Sequence, residues 1–399
     1  MLNIALITTD FPPLSTSAAV QLRDLALEFV ALGHNPMVLV PTSGLDSPSM
    51  LDEVGGIKIL RLSAPPIRPA NLIRRAIAEV ILPFAMMRNF SKSPFSTTRW
   101  DLIVWYSPPI FFGLLVWVLR RGQRCHAYLI LRDIFPQWAV DLGILRKGPT
   151  YFFFKAVAAF QYAVADTIGV QTESNLKYLE GWAKPAGRRI EVLHNWLATS
   201  GDVGCSISVA ETSLAGRKIF VYIGNMGVAQ GMHILVELAY SLRRREDIGF
   251  LFVGRGSEFP RLVAECASRA LANVLFFDEI DSSEIPGLLS QCHVGLVALH
   301  PDHKTHNIPG KFVSYTQYGL PVLARLNAGT DLAQLIETHH VGRVYVGDSV
   351  EGLKRLAEEL ADNDALRATM SRRGQALGRT MFSPETAARQ ILRSSDPHQ

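Results

Sequence analysis

The side-chain types and spacing within residues 306–323 describe an anion site. Asn307, Ile308, Pro309 and Gly310 make a rigid turn that delivers Lys311 to the start of a helix; the helix runs to Gly319, and Pro321 and Val322 open the next strand. Free N–H groups at a helix N-terminus, with an ammonium beside them, suit a phosphate group. The bland alternative is ordinary Pro-Gly turn chemistry. Two other glycine-bearing segments would let a diphosphate approach the backbone: Gly224-Asn225-Met226-Gly227, running to Gln230-Gly231, and Gly254-Arg255-Gly256. Neither completes a phosphate-binding P-loop, and Gly254-Arg255-Gly256 is only the start of a dinucleotide fingerprint. Each is weak alone. Their order and spacing together carry the argument.

What must position these segments is an alternating β/α pattern that occurs twice. Leu2 to Ile7 is a continuous apolar run of the parallel-strand kind, an amphipathic helix with Leu22, Leu25 and Phe29 follows, and Met37 to Val40 starts the next strand. Further strands are expected at Ile57–Leu62, Leu102–Trp105, Ala127–Leu131, Thr167–Gln171 and Ile190–Leu193. After a polar stretch the pattern restarts with Lys218–Ile223, ending at Gly224, and continues with strands at Gly249–Val253, Val274–Phe277, Val294–Leu299 and Val322–Ala324. The fold class is therefore α/β, with two doubly wound Rossmann-like domains. The expected boundaries are 1–196, a linker at 197–216, 217–380, and a last segment at 381–399 that Ser383-Pro384-Glu385 should start as a helix. Ligands of such sheets bind at the carboxyl ends of strands, so the site is expected in the cleft between the two domains.

Composition narrows the function. The chain has 399 residues, 48% hydrophobic and 19% charged, which is globular and long enough for two or three domains. Residues 1–195 hold 20 Lys+Arg against 14 Asp+Glu, whereas the remainder holds 20 against 22. The more basic first half points to an anionic ligand or a membrane surface, and no basic run resembles a nucleic-acid arm. Four scattered cysteines with no C-x-x-C fit a reducing compartment without a zinc site. Asp278, Glu279 and Asp281 lack the spacing of a coordination loop and read as a solvated turn. The chain enters directly into a strand, and its longest apolar run is broken by Ser107-Pro108-Pro109, so a cytoplasmic protein is expected. Residues 61–99 read as an insertion, with seven basic residues against one acid and many interleaved apolar side chains. Such an amphipathic segment suits a membrane interface or, alternatively, packs as an ordinary surface helix.

These motifs resemble a known family. Asp10-Phe11-Pro12-Pro13, Gly33-His34, Arg132-Asp133-Ile134-Phe135-Pro136, His194-Asn195-Trp196, Gly224 to Gly231 and His306 to Leu323 together are similar to the GT-B, family-four, nucleotide-sugar-dependent glycosyltransferases. The resemblance is closest to the bacterial branch that adds amino sugars, such as N-acetylfucosamine, during O-antigen or capsule assembly. It implies a retaining transferase that moves a sugar from a UDP-sugar to a lipid-linked (polyprenyl diphosphate) saccharide, with no metal and no other cofactor. The last segment, 381–399, would then cross back to the first domain, and the enzyme would sit at the inner face of the cytoplasmic membrane.

The resemblance also implies roles. Asp133 would orient or deprotonate the acceptor hydroxyl, unless it merely caps a turn before Pro136. Ser17, Arg132 and Asn195 would line the acceptor side, while Trp196 reads as a packing residue. Gly224, Asn225, Gln230, Gly254, Arg255, Asn307, Ile308, Pro309, Gly310 and Ser314 would hold the donor, and His306 would touch its sugar or β-phosphate. The chain departs from the family pattern in several places. Thr16-Ser17-Ala18 replaces paired glycines, Asn225 and Gln230 replace an arginine and a lysine, and His306 and Ser314 replace a pair of glutamates. A departing nucleoside diphosphate needs cations or N–H dipoles, which leaves Lys311, Arg255 and the amides near Gly310 to supply them. Two other classes fit less of the sequence: a GT-B nucleotide-sugar 2-epimerase or hydrolase, and a non-catalytic scaffold of a polysaccharide assembly complex.

Overall fold

Continuous apolar runs become buried parallel strands in both halves of the chain. The computed structural model describes residues 1–14, 16–66, 72–141, 145–183, 187–199, 201, 204–301 and 307–395. They divide into two units, residues 1–194 with 384–399 and residues 195–383.

The first unit begins β1 (Asn3–Ile7), α1 (Ser17–Ala31), β2 (Asn35–Thr42), β3 (Ser49–Val54), β4 (Ile57–Ser63), α2 (Leu72–Phe90) and β5 (Leu102–Ser107). It continues with α3 (Gly113–Arg120), β6 (His126–Leu131), α4 (Gln137–Asp141), α5 (Pro149–Val164), β7 (Thr167–Val170), α6 (Glu173–Leu176) and β8 (Arg189–Val192). The strand order is β3-β4-β2-β1-β5-β6-β7-β8, parallel except for β3. Its direction reverses between β1 and β5. Right-handed crossovers then put α2, α3 and α5 on one face of the sheet, where α2 packs beside α3 and α3 beside α5.

Residues 61–99 differ from the expected insertion. Arg61 belongs to β4, paired with Asp52 at 2.5 Å, and α2 is the regular crossover from β4 to β5. Ala78, Leu82, Met86 and Phe90 of α2 are buried, the last three within the core beneath the sheet.

The second unit runs β9 (Lys218–Ile223), α7 (His233–Ser241), β10 (Ile248–Val253), α8 (Phe259–Ser268), β11 (Val274–Phe277), α9 (Ile285–Leu289) and β12 (Val294–Ala298). Then come α10 (Gly310–Gln317), β13 (Val322–Leu326), α11 (Asp331–His339), β14 (Gly342–Val346), α12 (Val350–Asp362) and α13 (Asp364–Met381). Its order, β11-β10-β9-β12-β13-β14, is wholly parallel and reverses between β9 and β12. The stretch expected as a linker is partly structural: its apolar residues Ile207, Val209 and Leu214 are buried in this unit's core, with Leu197 and Cys205 packed against it. The last helix, α14 (Pro384–Ser394), belongs to the first unit, where it packs on α1 and Gln390 donates to the Val192 carbonyl at 2.9 Å.

Candidate functional site

In the second unit the reversal of strand order sets two chain ends side by side: the loop leaving β9 and the N-terminus of α10, which follows β12. Such switch points are where open α/β sheets bind ligands. Tyr315 locks α10 there. Its buried hydroxyl accepts from the Ile223 N–H at 3.1 Å and faces the carbonyls of Val221 and Leu296 at 3.2 and 3.4 Å. Gly295 is required beneath it, since a β-carbon there would lie 2.4 Å from the Tyr315 ring.

One turn before Tyr315, Lys311 lies with its Cε and Nζ 3.8 and 4.0 Å from where a β-carbon on Gly224 would sit. Its Nζ rests 4.5 Å from the centre of the Tyr222 ring, and the Tyr222 hydroxyl donates to the Asn225 carbonyl at 2.7 Å. Among the described residues no carboxylate pairs with Lys311, and burial pushes its ammonium down to about 8. The ring face offers only partial compensation for a desolvated cation.

The surrounding candidates fall into distinct roles. Pro309 is the N-cap of α10 without a side-chain cap bond; the Phe312 N–H turns back to the Pro309 carbonyl at 3.0 Å, which leaves the Gly310 and Lys311 amides without a side-chain cap. Gly310 has open space where a β-carbon would be, Asn307 is exposed, and Ile308 is buried at 2% exposure. Ser314 turns its hydroxyl back to the Gly310 carbonyl at 3.3 Å. Asn225 donates to the Gln230 side-chain oxygen at 3.1 Å, and that oxygen also accepts from the Gly227 N–H at 2.9 Å. These two side chains therefore shape the loop after β9.

Gly254 has a packing reason as well as any ligand role. At φ +146° its β-carbon would meet the Gly224 carbonyl oxygen at 2.1 Å, so its absence lets the loops after β9 and β10 touch. Arg255, expected as a cation for the donor, carries an ion pair of its own. It is 80% exposed and pairs with Glu279 at 2.9 Å, an acid from the cluster expected to be a solvated turn. His306 lies outside the described residues.

The first unit has its own switch point, between β1 and β5. Arg132, buried just past β6, donates to the carbonyls of Leu193 and His194 at 2.5 and 3.4 Å and hydrogen-bonds Tyr106 on β5. Asp133 follows it. Burial raises the Asp133 carboxyl above the usual carboxylate range, and the Arg132 guanidinium opposes that rise. The turn before Pro136 is closed by the backbone, with the Phe135 N–H on the Asp133 carbonyl at 3.0 Å. The capping role is thus filled without the carboxylate. Ser17 is exposed at the start of α1, where Thr16 is the N-cap. Asn195 falls in the second unit, and among the described residues its buried Oδ1 has no donor.

Sequence reasoning missed two tyrosines, Tyr222 and Tyr106. Each is the penultimate residue of a strand flanking a switch point, and a polar-tipped aromatic at that position was the available signal. His233, Glu237 and Glu265 also cluster, but Arg269 fills the space between the two carboxylates at 2.6 and 2.9 Å, making an ion-pair network.

Two doubly wound α/β units define the GT-B fold. The chain is similar to sucrose-phosphate synthase from Thermosynechococcus elongatus, with a TM-score of 0.71 and 17% identity over 98% of each chain. It is also similar to WaaG, a glycosyltransferase of lipopolysaccharide biosynthesis, with a TM-score of 0.61 and 17% identity over 97% of this chain and 99% of that one. Anabaena HepE, solved with UDP and glucose, gives a TM-score of 0.66 and 14% identity over 99% of each. At these identities the likeness is one of fold. In sequence, residues 217–363 match the family model of the glycosyl transferases group 1. A 270-residue stretch is 32% identical to Escherichia coli (strain K12) WcaI, assigned as a colanic acid biosynthesis glycosyl transferase; it covers 64% of this chain and spans 65% of that protein's length.

Proposed function

We propose that the protein is a glycosyltransferase of bacterial polysaccharide biosynthesis, moving a sugar from a nucleoside-diphosphate sugar to a saccharide acceptor. The observation that carries this reading is Lys311: a desolvated ammonium with no carboxylate partner among the described residues, beside Gly224 and the N-terminus of α10, which has no side-chain cap. The match of residues 217–363 to the glycosyl transferases group 1 covers this same region. UDP is the favoured nucleotide, supported by the UDP bound in HepE, a protein of the same fold.

In the proposed reaction the acceptor hydroxyl attacks the anomeric carbon on the leaving-group face, the bond from that carbon to the β-phosphate oxygen breaks, and configuration is retained. A diphosphate oxygen takes the hydroxyl proton. Lys311 and the first amides of α10 neutralise the charge that develops there. Asp133 orients the acceptor hydroxyl, with Arg132 and Tyr106 setting its environment. Asn225 and Gln230 replace the usual cations by ordering the loop, which makes Lys311 carry more of the charge. An N-acetylamino sugar such as N-acetylfucosamine, a polyprenyl-diphosphate-linked acceptor and independence from metal complete the proposal.

Thermal melting with UDP, GDP and ADP is the first test, with a rise in Tm expected for UDP. Product analysis with a panel of UDP-sugars and a polyprenyl-linked amino sugar then identifies the reaction. If no nucleotide shifts the melting, the scaffold reading replaces this one.

A further inference from the structure

Besides Asp133, the switch point of the first unit carries a second carboxylate, Asp10, in the loop after β1. The register places it. Ile7 lies opposite Trp105 in the parallel pairing of β1 with β5, so Thr8 comes beside Tyr106, the penultimate residue of β5. The Thr8 hydroxyl accepts from the Asp10 N–H and donates to the Asp10 carbonyl, both at 3.0 Å. Thr8 itself is fully buried, so Asp10 is anchored to the sheet. On the other side of β5, the Arg132 N–H donates to the Ser107 carbonyl at 3.2 Å, which brings Arg132 and Asp133 up to Tyr106 from β6. The phenol feels all three. Burial raises it most, Asp133 and Asp10 raise it too, and Arg132 opposes them. Tyr106 therefore stays an O–H group at neutral pH.

What these groups offer a ligand is selective. Ionised carboxylates present acceptor oxygens only, and a phenol donates or accepts. Asp10, Tyr106 and Asp133 are half-buried, so a ligand can reach them. Among the described residues no N–H or O–H group donates to the Asp133 carboxylate, which burial has stripped of much of its water. A hydroxyl donor is what such a group favours. Asp10 takes the Thr16 hydroxyl at 3.2 Å, and Thr16 in turn accepts from the Ala19 N–H at 3.3 Å as the N-cap of α1. A carboxylate has about four lone-pair sites, so that contact orients the group and does not exhaust it. Two carboxylates flanking one phenol match in kind the neighbouring hydroxyls of a sugar, whose donors stand on adjacent carbons.

We propose that the first unit reads its acceptor as a vicinal diol: Asp133 holds the hydroxyl that attacks, and Asp10, across Tyr106, holds the free hydroxyl on the adjacent carbon. Asp10 is then a specificity-determining residue. This rests on the sugar-transfer reading and deepens it by naming the class of acceptor. A sugar whose neighbouring position is deoxygenated, methylated or already glycosylated leaves the Asp10 carboxylate without that donor and is rejected. The bland alternative is that Asp10 only braces Thr16 at the start of α1. It predicts a loss of stability that no choice of acceptor alters.

The test is a cycle between residue and acceptor, run on the full chain. Decyl glycosides of glucose, galactose, N-acetylglucosamine and fucose are assayed with the UDP-sugar panel, and product linkage identifies the attacked hydroxyl. The analogue deoxygenated at the neighbouring carbon is then compared with its parent. The wild type should lose about 10- to 100-fold in kcat/KM on that analogue, the usual effect of removing a hydrogen bond to a charged group. Asp10→Ala should lose as much on the parent and no more on the analogue, so the two effects do not add. Asp10→Asn keeps an oxygen for the Thr16 hydroxyl but no charge; it should melt as the wild type does and prefer the diol severalfold less. A wild type that uses parent and analogue alike overturns the proposal. An undiminished preference in Asp10→Asn overturns it as well, even if Asp10→Ala does not fold. So does a wild type whose melting shifts with UDP but which accepts none of the diol glycosides, a result that leaves nucleotide binding standing. Absence of any nucleotide shift instead overturns the sugar-transfer reading and this proposal with it.

Discussion

The two units each hold a partly desolvated charge at a switch point, and they treat it in opposite ways. In the first, Asp133 sits beside Arg132, which is itself tied to the Leu193 and His194 carbonyls. The charge is answered within the fold. In the second, Lys311 has a ring face and glycine around it and, among the described residues, no counter-charge. Leaving a buried ammonium unanswered is costly for the free protein. Among the described residues, then, the first unit answers its charge with a neighbouring side chain and the second does not, which is the contrast the proposed anion site rests on.

The largest expected effect breaks the second half of this comparison. Lys311→Ala should lower kcat by roughly 100-fold or more, the usual loss on removing electrostatic stabilisation of a leaving group; steady-state turnover of a UDP-sugar measures it, and near-normal turnover would remove Lys311 from the mechanism. Lys311→Met keeps the volume without the charge. It should abolish the UDP-dependent melting shift yet stabilise the ligand-free chain by about 1–3 kcal/mol, measured by denaturant unfolding.

The same lysine gives the comparison a pH signature. Lys311 titrates at about 8 in the fold, against an ordinary value of 10.5. Between those values the unfolded chain binds more protons, so this group makes the free protein more stable as pH rises across that window. A bound diphosphate favours the charged form. Stabilisation by UDP should therefore be full below about 8 and diminish as pH rises through it, which melting curves across pH will show.

Asp133→Asn probes the first half. It should cost about tenfold in kcat with little change in nucleotide binding, below the range typical of an obligatory general base. The acid limb of the wild-type rate profile should lie above the ordinary carboxylate range, because burial raises this group, and it should vanish in the variant. The smallest effect sharpens the account of positioning. Tyr315→Phe leaves the Ile223 N–H without its partner and should destabilise the chain by about 1–2 kcal/mol in denaturant unfolding, with kcat falling only severalfold.

Much of this was legible in the residues. Buried parallel strands need continuous apolar runs, so β1, β9, β10 and β12 stood out. The antiparallel edge strand β3 did not: Ser49–Val54 is mostly exposed, with no alternation of apolar and polar residues to mark it. The glycine segments and Lys311 were readable because turn chemistry is local. The pairing of Arg255 with Glu279 was not, since the partners lie 24 residues apart in sequence and meet only where the loops after β10 and β11 adjoin.

By itself, then, the sequence determined two rounds of β/α alternation, the turn that starts α10, and a basic first half. Tertiary structure alone decided which cation has no carboxylate partner among the described residues, that Tyr222 lies beneath it, and that α5 turns three phenylalanines outward. The physical reason is range. Backbone preference and hydrophobic periodicity act over a few residues, whereas burial, charge pairing and exposure depend on which distant strands and helices become neighbours.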